Sequence, residues 1–230
     1  MADDPIAAAL RAVRSRIEKA CARVGRDPAG VTLVAVSKTK PAELINQAVA
    51  AGHHVFGENR VQEAIAKQPD VVGPVEWHLV GALQRNKARH AVGAFALLHG
   101  VDSVRLLAEI DRRAASAGIR QALLVQVRLG DEPTKSGVDP AELDALVDAA
   151  VASEHVELRG LMTIPPPASE PESSRVWFTR LRELRDAQAD RIDSPLPELS
   201  MGMTDDFEVA VEEGATLVRV GTAIFGARGP

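Results

Sequence analysis

Several features that would narrow the class of this protein are scarce or missing from its sequence. A single cysteine, Cys21, excludes an intrachain disulfide framework. No uninterrupted apolar run approaches the roughly 20 residues that a membrane-spanning helix needs, and the first residues lack the continuous apolar segment of a signal peptide. We therefore expect a cytoplasmic protein that does not insert into a membrane.

The chain also lacks the marks of a multidomain or nucleic-acid-binding protein. Its 230 residues contain no Ser/Gly-rich linker, repeat or low-complexity tract, so we expect one domain over residues 1–230. The 27 Lys and Arg against 32 Asp and Glu give a net charge of -5, and no basic cluster is dense enough for a nucleic-acid footprint. We expect a monomer with neither nucleic acid nor membrane as a partner.

The first informative stretch is the apolar, β-branched run from Val31 to Val36, which leads into Ser37 and Lys38. Such a run predicts a strand covered on both faces, as in parallel sheets. In an α/β barrel the C-terminal ends of the strands carry the chemistry, so Lys38 is a candidate for Schiff-base formation with an aldehyde. A lysine that only reaches solvent from a strand end is the alternative interpretation of this stretch alone.

Strand-like and helix-like segments alternate along the rest of the chain. Pro5 to Val24 places apolar residues at steps of three and four, which predicts an amphipathic helix whose apolar face includes Cys21. Helices separate eight predicted strands, which are 31–38, His54–Asn59, Glu76–Gly81, Phe95–Gly100, Gln121–Leu129, Val156–Ile164, Leu199–Gly202 and Thr216–Phe225.

Eight strands of βα type predict a single (β/α)8 TIM-type barrel. Because Gly226 to Pro230 are too few for an eighth helix, we expect the N-terminal helix to lie in its place. A doubly wound open sheet is the alternative, but no Gly-x-Gly-x-x-Gly follows the first strand to support it.

Two stretches near the end of the chain predict an anion site. Ser200 and Gly202 end the seventh strand before a helix, whose first N–H groups attract anions. Gly221 and Thr222 offer a close backbone approach and a hydroxyl in the eighth strand. Barrels often bind phosphate with the loops after these two strands, so we predict a phosphate cup here. Simple capping of the helix by the residues after Gly202 is compatible with it.

Arg219 lies two residues before Gly221, so both belong to the same face of the strand. A permanently protonated guanidinium facing a heteroaromatic nitrogen would donate a hydrogen bond to it and discourage its protonation. A structural ion pair with an acid on a neighbouring strand is an alternative of equal weight.

A strand-end lysine, a phosphate cup and an inward arginine together describe a site for pyridoxal phosphate, and the sequence resembles the pyridoxal phosphate homeostasis protein family. The motifs that carry the resemblance extend along nearly the whole chain. They are Val36-Ser37-Lys38 with Pro41, Phe56-Gly57-Glu58-Asn59 with Gln62, Trp77-His78, Gly81 and Leu83-Gln84 with Asn86-Lys87, Lys135-Ser136-Gly137, Gly160-Leu161-Met162-Thr163, Leu199-Ser200-Met201-Gly202-Met203 with Asp205-Asp206, and Val218 to Gly226.

The resemblance implies a barrel like the N-terminal domain of bacterial alanine racemase, with pyridoxal 5'-phosphate as the cofactor and its Schiff base on Lys38. It also implies that the phosphate lies in the predicted cup, that Arg219 faces the pyridine nitrogen and that Asn59 lies near the ring. The residues expected to hold the cofactor are Lys38, Asn59, His78, Ser200, Met201, Gly202, Arg219, Gly221 and Thr222. The chain departs from the family pattern at Ala82 and Arg85, and neither position is expected in the cofactor shell.

The sequence contains no tyrosine, and this bears on catalysis. Alanine racemase, as the resemblance describes it, needs a tyrosine from a second domain as a base on the opposite face of the cofactor. An arginine at the pyridine nitrogen also weakens the electron sink that carbanion chemistry needs.

We therefore predict a carrier and buffer of pyridoxal phosphate in vitamin B6 and amino-acid homeostasis, without catalytic residues and with apo forms of pyridoxal phosphate enzymes as recipients. A low-activity racemase or lyase is the alternative. A metal-dependent barrel enzyme is disfavoured, because the histidines show no metal-ligand spacing and no metal ligand is predicted.

Overall fold

A closed barrel of eight parallel strands, hydrogen-bonded in chain order, forms the centre of the molecule. The structure is a computed structural model, and it describes residues 4–130, 136–167 and 169–227. The strands are β1 (Thr32–Val36), β2 (Val55–Glu58), β3 (Glu76–Leu79), β4 (Leu97–Val101), β5 (Gln121–Gln126), β6 (Val156–Met162), β7 (Glu198–Ser200) and β8 (Leu217–Val220). The predicted TIM-type barrel is thus confirmed.

Helices surround the barrel. They are α1 (Pro5–Arg23), α2 (Ala42–Ala50), α3 (Val61–Lys67), α4 (Ala88–Ala91), α5 (Val104–Ala117), α6 (Leu143–Ala152), α7 (Arg175–Arg191), α8 (Phe207–Glu212) and α9 (Thr222–Phe225). Across the described ranges, no helix is long and apolar enough to cross a bilayer.

The N-terminal helix occupies the predicted gap, because α1 packs against α8, α9 and α2. Asp4 caps it by accepting a hydrogen bond from the backbone N of Ile6 at 2.8 Å. The guanidinium of Arg16 lies 4.4 Å from the ring centre of Phe207 on α8, which adds a cation–π contact to the interface. Cys21 is fully buried on the packed face, as its place in the apolar pattern predicted.

The end of the chain differs from the prediction of one long strand. β8 stops at Val220, and the backbone N–H groups of Ile224 and Phe225 both donate to the carbonyl of Gly221 at 2.9 Å. The apolar residues of α9 look like strand residues in the sequence, because so short an apolar run fits either a strand or a single turn of helix. A short helix therefore does follow β8.

The helix after β7 is shorter than predicted. The sequence after Gly202 predicts a helix over Thr204 to Glu213, but the helix begins only at Phe207. The intervening turn is closed by Asp206, whose Oδ1 accepts a hydrogen bond from the backbone N of Met203 at 2.7 Å. Aspartate is common both in a tight turn and in the first turn of a helix. The sequence around Asp206 therefore does not distinguish these two structures.

Two layers of apolar residues flank the strands, as the alternation of side chains in a barrel requires. The larger cluster packs the outer face of the strands against the helices. The smaller cluster contains one residue from each of five strands, namely Val34, Leu97, Leu124, Met162 and Leu217, together with Val80 directly after β3. The barrel interior is therefore packed rather than open.

Candidate functional site

A cavity of about 490 Å³ opens at the C-terminal ends of the strands. Its polar lining comes from strand ends and the loops after them, namely Lys38, Lys40, Asn59, Gln126, Ser136, Thr204, Asp205, Arg219 and Thr222. This end of a TIM-type barrel is the one at which ligands bind.

The structure brings five of the nine predicted cofactor residues together on this cavity, namely Lys38, Asn59, Arg219, Gly221 and Thr222. β1 and β8 are hydrogen-bonded neighbours in which Val34 pairs with Arg219, so the ladder fixes how far the lysine-bearing strand end lies from the arginine. The other four predicted residues, His78, Ser200, Met201 and Gly202, are absent from the cavity wall of the described structure.

Ser200 lies inside the barrel rather than on the cavity wall, and it is fully buried. Its Oγ accepts a hydrogen bond from Nη1 of Arg219 at 2.6 Å and lies 2.8 Å from Nδ1 of His99. Nε2 of His99 in turn lies 3.0 Å from Nδ1 of His78. Ser200 and His78 therefore reach the cavity only through Arg219.

Met201 and Gly202 have structural surroundings. Met201 is fully buried in the cluster between the strands and the helices. Gly202 has a φ of 87°, and a Cβ there would lie 2.5 Å from the Cβ of Ala210 on α8. A glycine is needed at this position for the chain to turn from β7 toward α8.

Arg219 is buried and yet charged. Burial lowers the pKa of its guanidinium to about 10, so the group stays protonated at neutral pH. Besides its bond to Ser200, its Nη2 donates to the carbonyl of Thr163 at 2.8 Å. Both hydrogen-bond partners are neutral oxygens, whereas the carboxylate of Asp206 acts on Arg219 through its charge, which raises the pKa of the guanidinium against the effect of burial.

The strand end that carries Lys38 is held by a second lysine, Lys67, at the end of α3. Its Nζ donates hydrogen bonds to the carbonyls of Ser37 at 3.1 Å and Lys40 at 3.0 Å, on either side of Lys38 in the sequence. The turn between them includes Thr39 at a φ of 63°, a left-handed conformation that is uncommon for threonine. Lys67 therefore fixes the backbone from which Lys38 projects.

Two glutamates complete this clamp of Lys67, Glu58 and Glu63. Nζ of Lys67 lies 2.9 Å from Oε1 of Glu58 and 3.1 Å from Oε1 of Glu63. Glu58 is fully buried and also accepts a hydrogen bond from Oγ of Ser37 at 2.7 Å. Burial raises the pKa of Glu58, against the lowering effect of its hydrogen bonds from Ser37 and Lys67.

The clamp and part of the cavity wall were not predicted from the sequence. Glu58 stood in a recognised motif, but no local pattern links Lys67 to the strand end. Gln126 lies on β5 with its Nε2 donating to the carbonyl of Ser136 at 3.0 Å. Alternation along β5 could have indicated its inward direction. Ala82 also lines the cavity, so this departure from the family pattern lies on the wall of the site, and its absence from the cofactor shell stays a prediction. Lys135, of the motif ending in Gly137, lies outside the described residues.

The structure is an α/β-barrel protein with a cavity at the C-terminal ends of its strands. A lysine just after β1 and an arginine on the neighbouring β8 both line that cavity. The chain matches the family described as "Alanine racemase, N-terminal domain" over residues 9–229. It is 45% identical over 220 residues to the pyridoxal phosphate homeostasis protein of Aquifex aeolicus, covering 95% of this chain and 96% of the relative. This protein belongs to the pyridoxal phosphate homeostasis protein family, as its motifs predicted.

Solved structures of other proteins have the same fold. PipY of Synechococcus elongatus, in a structure with PLP bound, has a TM-score of 0.86 at 42% identity, over 96% of this chain and all of that one. An alanine racemase of Clostridium difficile shares the fold, with a TM-score of 0.70 at 14% identity. This chain covers 95% of its own length and 56% of that racemase in the comparison.

The clamp gives a prediction about stability. We expect Lys67→Met to lower the free energy of unfolding by about 3–5 kcal/mol, because it leaves the buried carboxylate of Glu58 without its cationic partner. Adding Glu58→Gln to that variant should recover part of the loss, since the amide carries no charge. Urea denaturation measures both changes.

The matched control is Lys19→Met at an exposed position of α1, which should change stability by no more than about 0.5 kcal/mol. A Lys67→Met variant as stable as the Lys19→Met variant would contradict the prediction. So would a double variant that recovers nothing.

Proposed function

We propose that this protein binds pyridoxal 5'-phosphate in the barrel cavity and acts as a non-enzymatic carrier and buffer of that cofactor. The observation that carries the proposal is the placement of Lys38 and Arg219 on one cavity at the ends of neighbouring strands. The names of its relatives and the bound PLP in the PipY structure support the same ligand.

The residues present fit this cofactor. A volume of about 490 Å³ is in the range of small-molecule sites. Three cationic side chains, Lys38, Lys40 and Arg219, line the cavity and favour an anionic ligand. In the described structure, Oε1 of Gln126 is buried without a hydrogen-bond partner, so this wall also offers an acceptor to a ligand donor.

Each group of the cofactor has a candidate partner among the cavity residues. Pyridoxal phosphate supplies an aldehyde when bound, and the amine of Lys38 would hold it through a reversible covalent bond. Gly221 and the hydroxyl of Thr222 would bind the phosphate. Arg219 would donate to the ring nitrogen, and Asn59 would lie beside the ring.

The carrier interpretation rests on what this set of residues does to reactivity. A guanidinium donates hydrogen bonds and accepts none, so Arg219 keeps a ring nitrogen in its unprotonated form. An unprotonated ring stabilises a carbanion poorly. The sequence has no tyrosine to act as a second base. Binding without turnover is the function that this combination favours.

One observation favours the alternative of a low-activity racemase or lyase. The carboxylate-bearing residue Asp205 lines the same cavity as Lys38. A correctly placed general acid or base can contribute about 10²–10⁴-fold to a rate. A test of turnover therefore needs the Asp205→Asn variant.

Further parts of the proposal follow from the sequence. Residues 1–230 form one domain, the protein is a cytoplasmic monomer, and apo forms of pyridoxal phosphate enzymes receive the cofactor. Its role is in vitamin B6 and amino-acid homeostasis. These parts stay predictions.

Borohydride reduction tests the covalent partner. In the presence of pyridoxal phosphate, reduction should fix the cofactor on Lys38, as read by mass spectrometry of the digested protein. Lys38→Ala should lose the fixed adduct, whereas Lys40→Ala should keep it, although both lysines line the cavity. An adduct found mainly on Lys40, Lys87 or Lys135 would overturn the assignment.

The phosphate position gives a prediction about Thr222. We expect Thr222→Ala to weaken binding of pyridoxal phosphate by about 1.5–3 kcal/mol, because a hydroxyl that donates to a charged oxygen is lost. Thr222→Ser keeps the hydroxyl and should bind nearly as the wild type does. Pyridoxal, which has no phosphate, should bind all three proteins equally weakly in a fluorescence titration. Equal losses for the two ligands would place the phosphate elsewhere.

Turnover and transfer separate the two functions. We expect α-proton exchange of L- and D-amino acids in deuterated water to be slower than about 1 s⁻¹, the low end of ordinary turnover numbers. The loaded protein should reactivate an apo pyridoxal phosphate enzyme in the same buffer. Exchange at or above that rate, abolished by Asp205→Asn, would establish the racemase or lyase instead.

A further inference from the structure

A line of hydrogen-bonded polar side chains crosses the barrel interior from Arg219 to the opposite end of the strands. After the contacts of Ser200 with Arg219 and His99, and of His99 with His78, the line continues to Glu76. Nε2 of His78 lies 2.8 Å from Oε1 of that glutamate. The side chain of Glu76 is 55% exposed, at the first residue of β3. The four residues between it and the cavity are buried.

This line lies beside the inner apolar cluster of the barrel. β4 and β8, which contribute His99 and Arg219, also contribute Leu97 and Leu217 to the inner apolar cluster, and Val80 of that cluster directly follows β3. A buried polar group without a partner costs about 1–3 kcal/mol, so an isolated histidine would be unfavourable here. Connection from one polar group to the next removes that cost.

When both histidine rings are neutral, the two ends of the line fix the direction of every hydrogen bond in it. Arg219 only donates and an ionised carboxylate only accepts. The hydrogen bond from His78 lowers the pKa of Glu76, which keeps that carboxylate ionised. Burial lowers the pKa of His99 well below its usual value, so this ring is neutral, with one donor and one acceptor.

In its neutral form, His78 donates from Nε2 to Glu76 and must accept at Nδ1. His99 therefore donates from Nε2 and accepts at Nδ1. The Oγ–H of Ser200 then points at His99, and Ser200 presents only a lone pair to Arg219. All four contacts are satisfied by one arrangement of hydrogens.

We infer that Glu76, His78 and His99 form a positioning relay, which orients the hydroxyl of Ser200 and through it the guanidinium of Arg219 at the cavity. The inference deepens the proposed function, on which its ligand-binding part rests. It assigns Ser200 to the support of Arg219 instead of the phosphate, and it gives His78 a role without contact to the cofactor.

The first test uses the ligand-free full-length protein at mildly alkaline pH. Long-range ¹⁵N–¹H correlation of histidine-labelled protein distinguishes the two neutral tautomers of each ring. The relay requires the Nε2–H tautomer for both His78 and His99. A His99 ring protonated at Nδ1 would reverse the bond to Ser200 and overturn the relay.

The second test changes the exposed end of the relay, where a substitution leaves the buried residues in place. Glu76→Ala should shift the side-chain N–H signals of Arg219 in the ligand-free protein. It should also weaken binding of pyridoxal phosphate about twofold to tenfold, the range of one net hydrogen bond, and shift the visible absorption band of the bound cofactor. Glu76→Gln keeps a carbonyl oxygen that accepts from His78 and should restore wild-type behaviour.

The matched control is Glu157→Ala. Glu157 also lies near the start of a barrel strand and is similarly exposed. It pairs with Arg159, whose charge acts on Glu76 but which donates no hydrogen bond within the relay, so the variant alters the charge beside Glu76 and leaves the relay's hydrogen bonds in place. Removal of the Glu157 carboxylate should leave the Arg219 signals, the affinity and the absorption band unchanged. Equal effects of Glu76→Ala and Glu157→Ala would overturn the relay. A Glu76→Gln variant as impaired as Glu76→Ala would also overturn it, since the effect would then come from charge.

Failure of the relay and failure of the proposed function can be told apart. If pyridoxal phosphate does not bind the wild-type protein, the proposed function fails. The histidine tautomers and the Arg219 signals of the ligand-free protein then still decide the relay.

Discussion

Burying the guanidinium of Arg219 inside a parallel barrel is the constraint on which the site depends. The group cannot give up its proton at neutral pH, since its pKa falls only to about 10. A buried charge is tolerated only when its donors are satisfied. The carbonyl of Thr163 and the hydroxyl of Ser200 satisfy two of them. Ser200 in turn needs an acceptor for its own hydrogen, and a neutral His99 provides it. One charge at the ligand cavity thus accounts for a polar layer that reaches across the barrel.

Local patterns in the sequence predicted some of these features and missed others. The eight strands were predicted because apolar runs between helical segments are a local signal. Lys38 and Arg219 were correctly expected at one end of the barrel, since strand ends converge there. The direction of Ser200 was less predictable, because a strand-end hydroxyl before a glycine suits both a phosphate and a buried arginine. Only the three-dimensional position of His99 separates these possibilities.

Contacts between distant segments escaped prediction for a related reason. The clamp of Lys67, Glu58 and Glu63 supports Lys38 through backbone carbonyls, and such acceptors leave no trace in side-chain patterns. The misjudged end of the chain has a different cause. Three apolar residues, Ala223, Ile224 and Phe225, suffice for a strand or for one turn of helix, and only packing decides between them. Lys67 thus supports the end of β1 that leads to Lys38, and the relay of Glu76, His78 and His99 supports Arg219 on β8 through Ser200.

The burial of Cys21 on the packed face of α1 has a practical consequence. This cysteine is the only thiol in the sequence and is fully enclosed between α1 and the barrel. A thiol reagent can reach it only when the N-terminal helix separates from its neighbours, because reaction requires access to the sulfur. The labelling rate of the unmodified protein therefore reports how often this helix detaches, without any introduced probe. α1 precedes the start of β1, and the cavity lies at the other end of that strand. Comparing the labelling rate with and without ligand would show whether ligand binding at one end of β1 changes how often α1 detaches at the other.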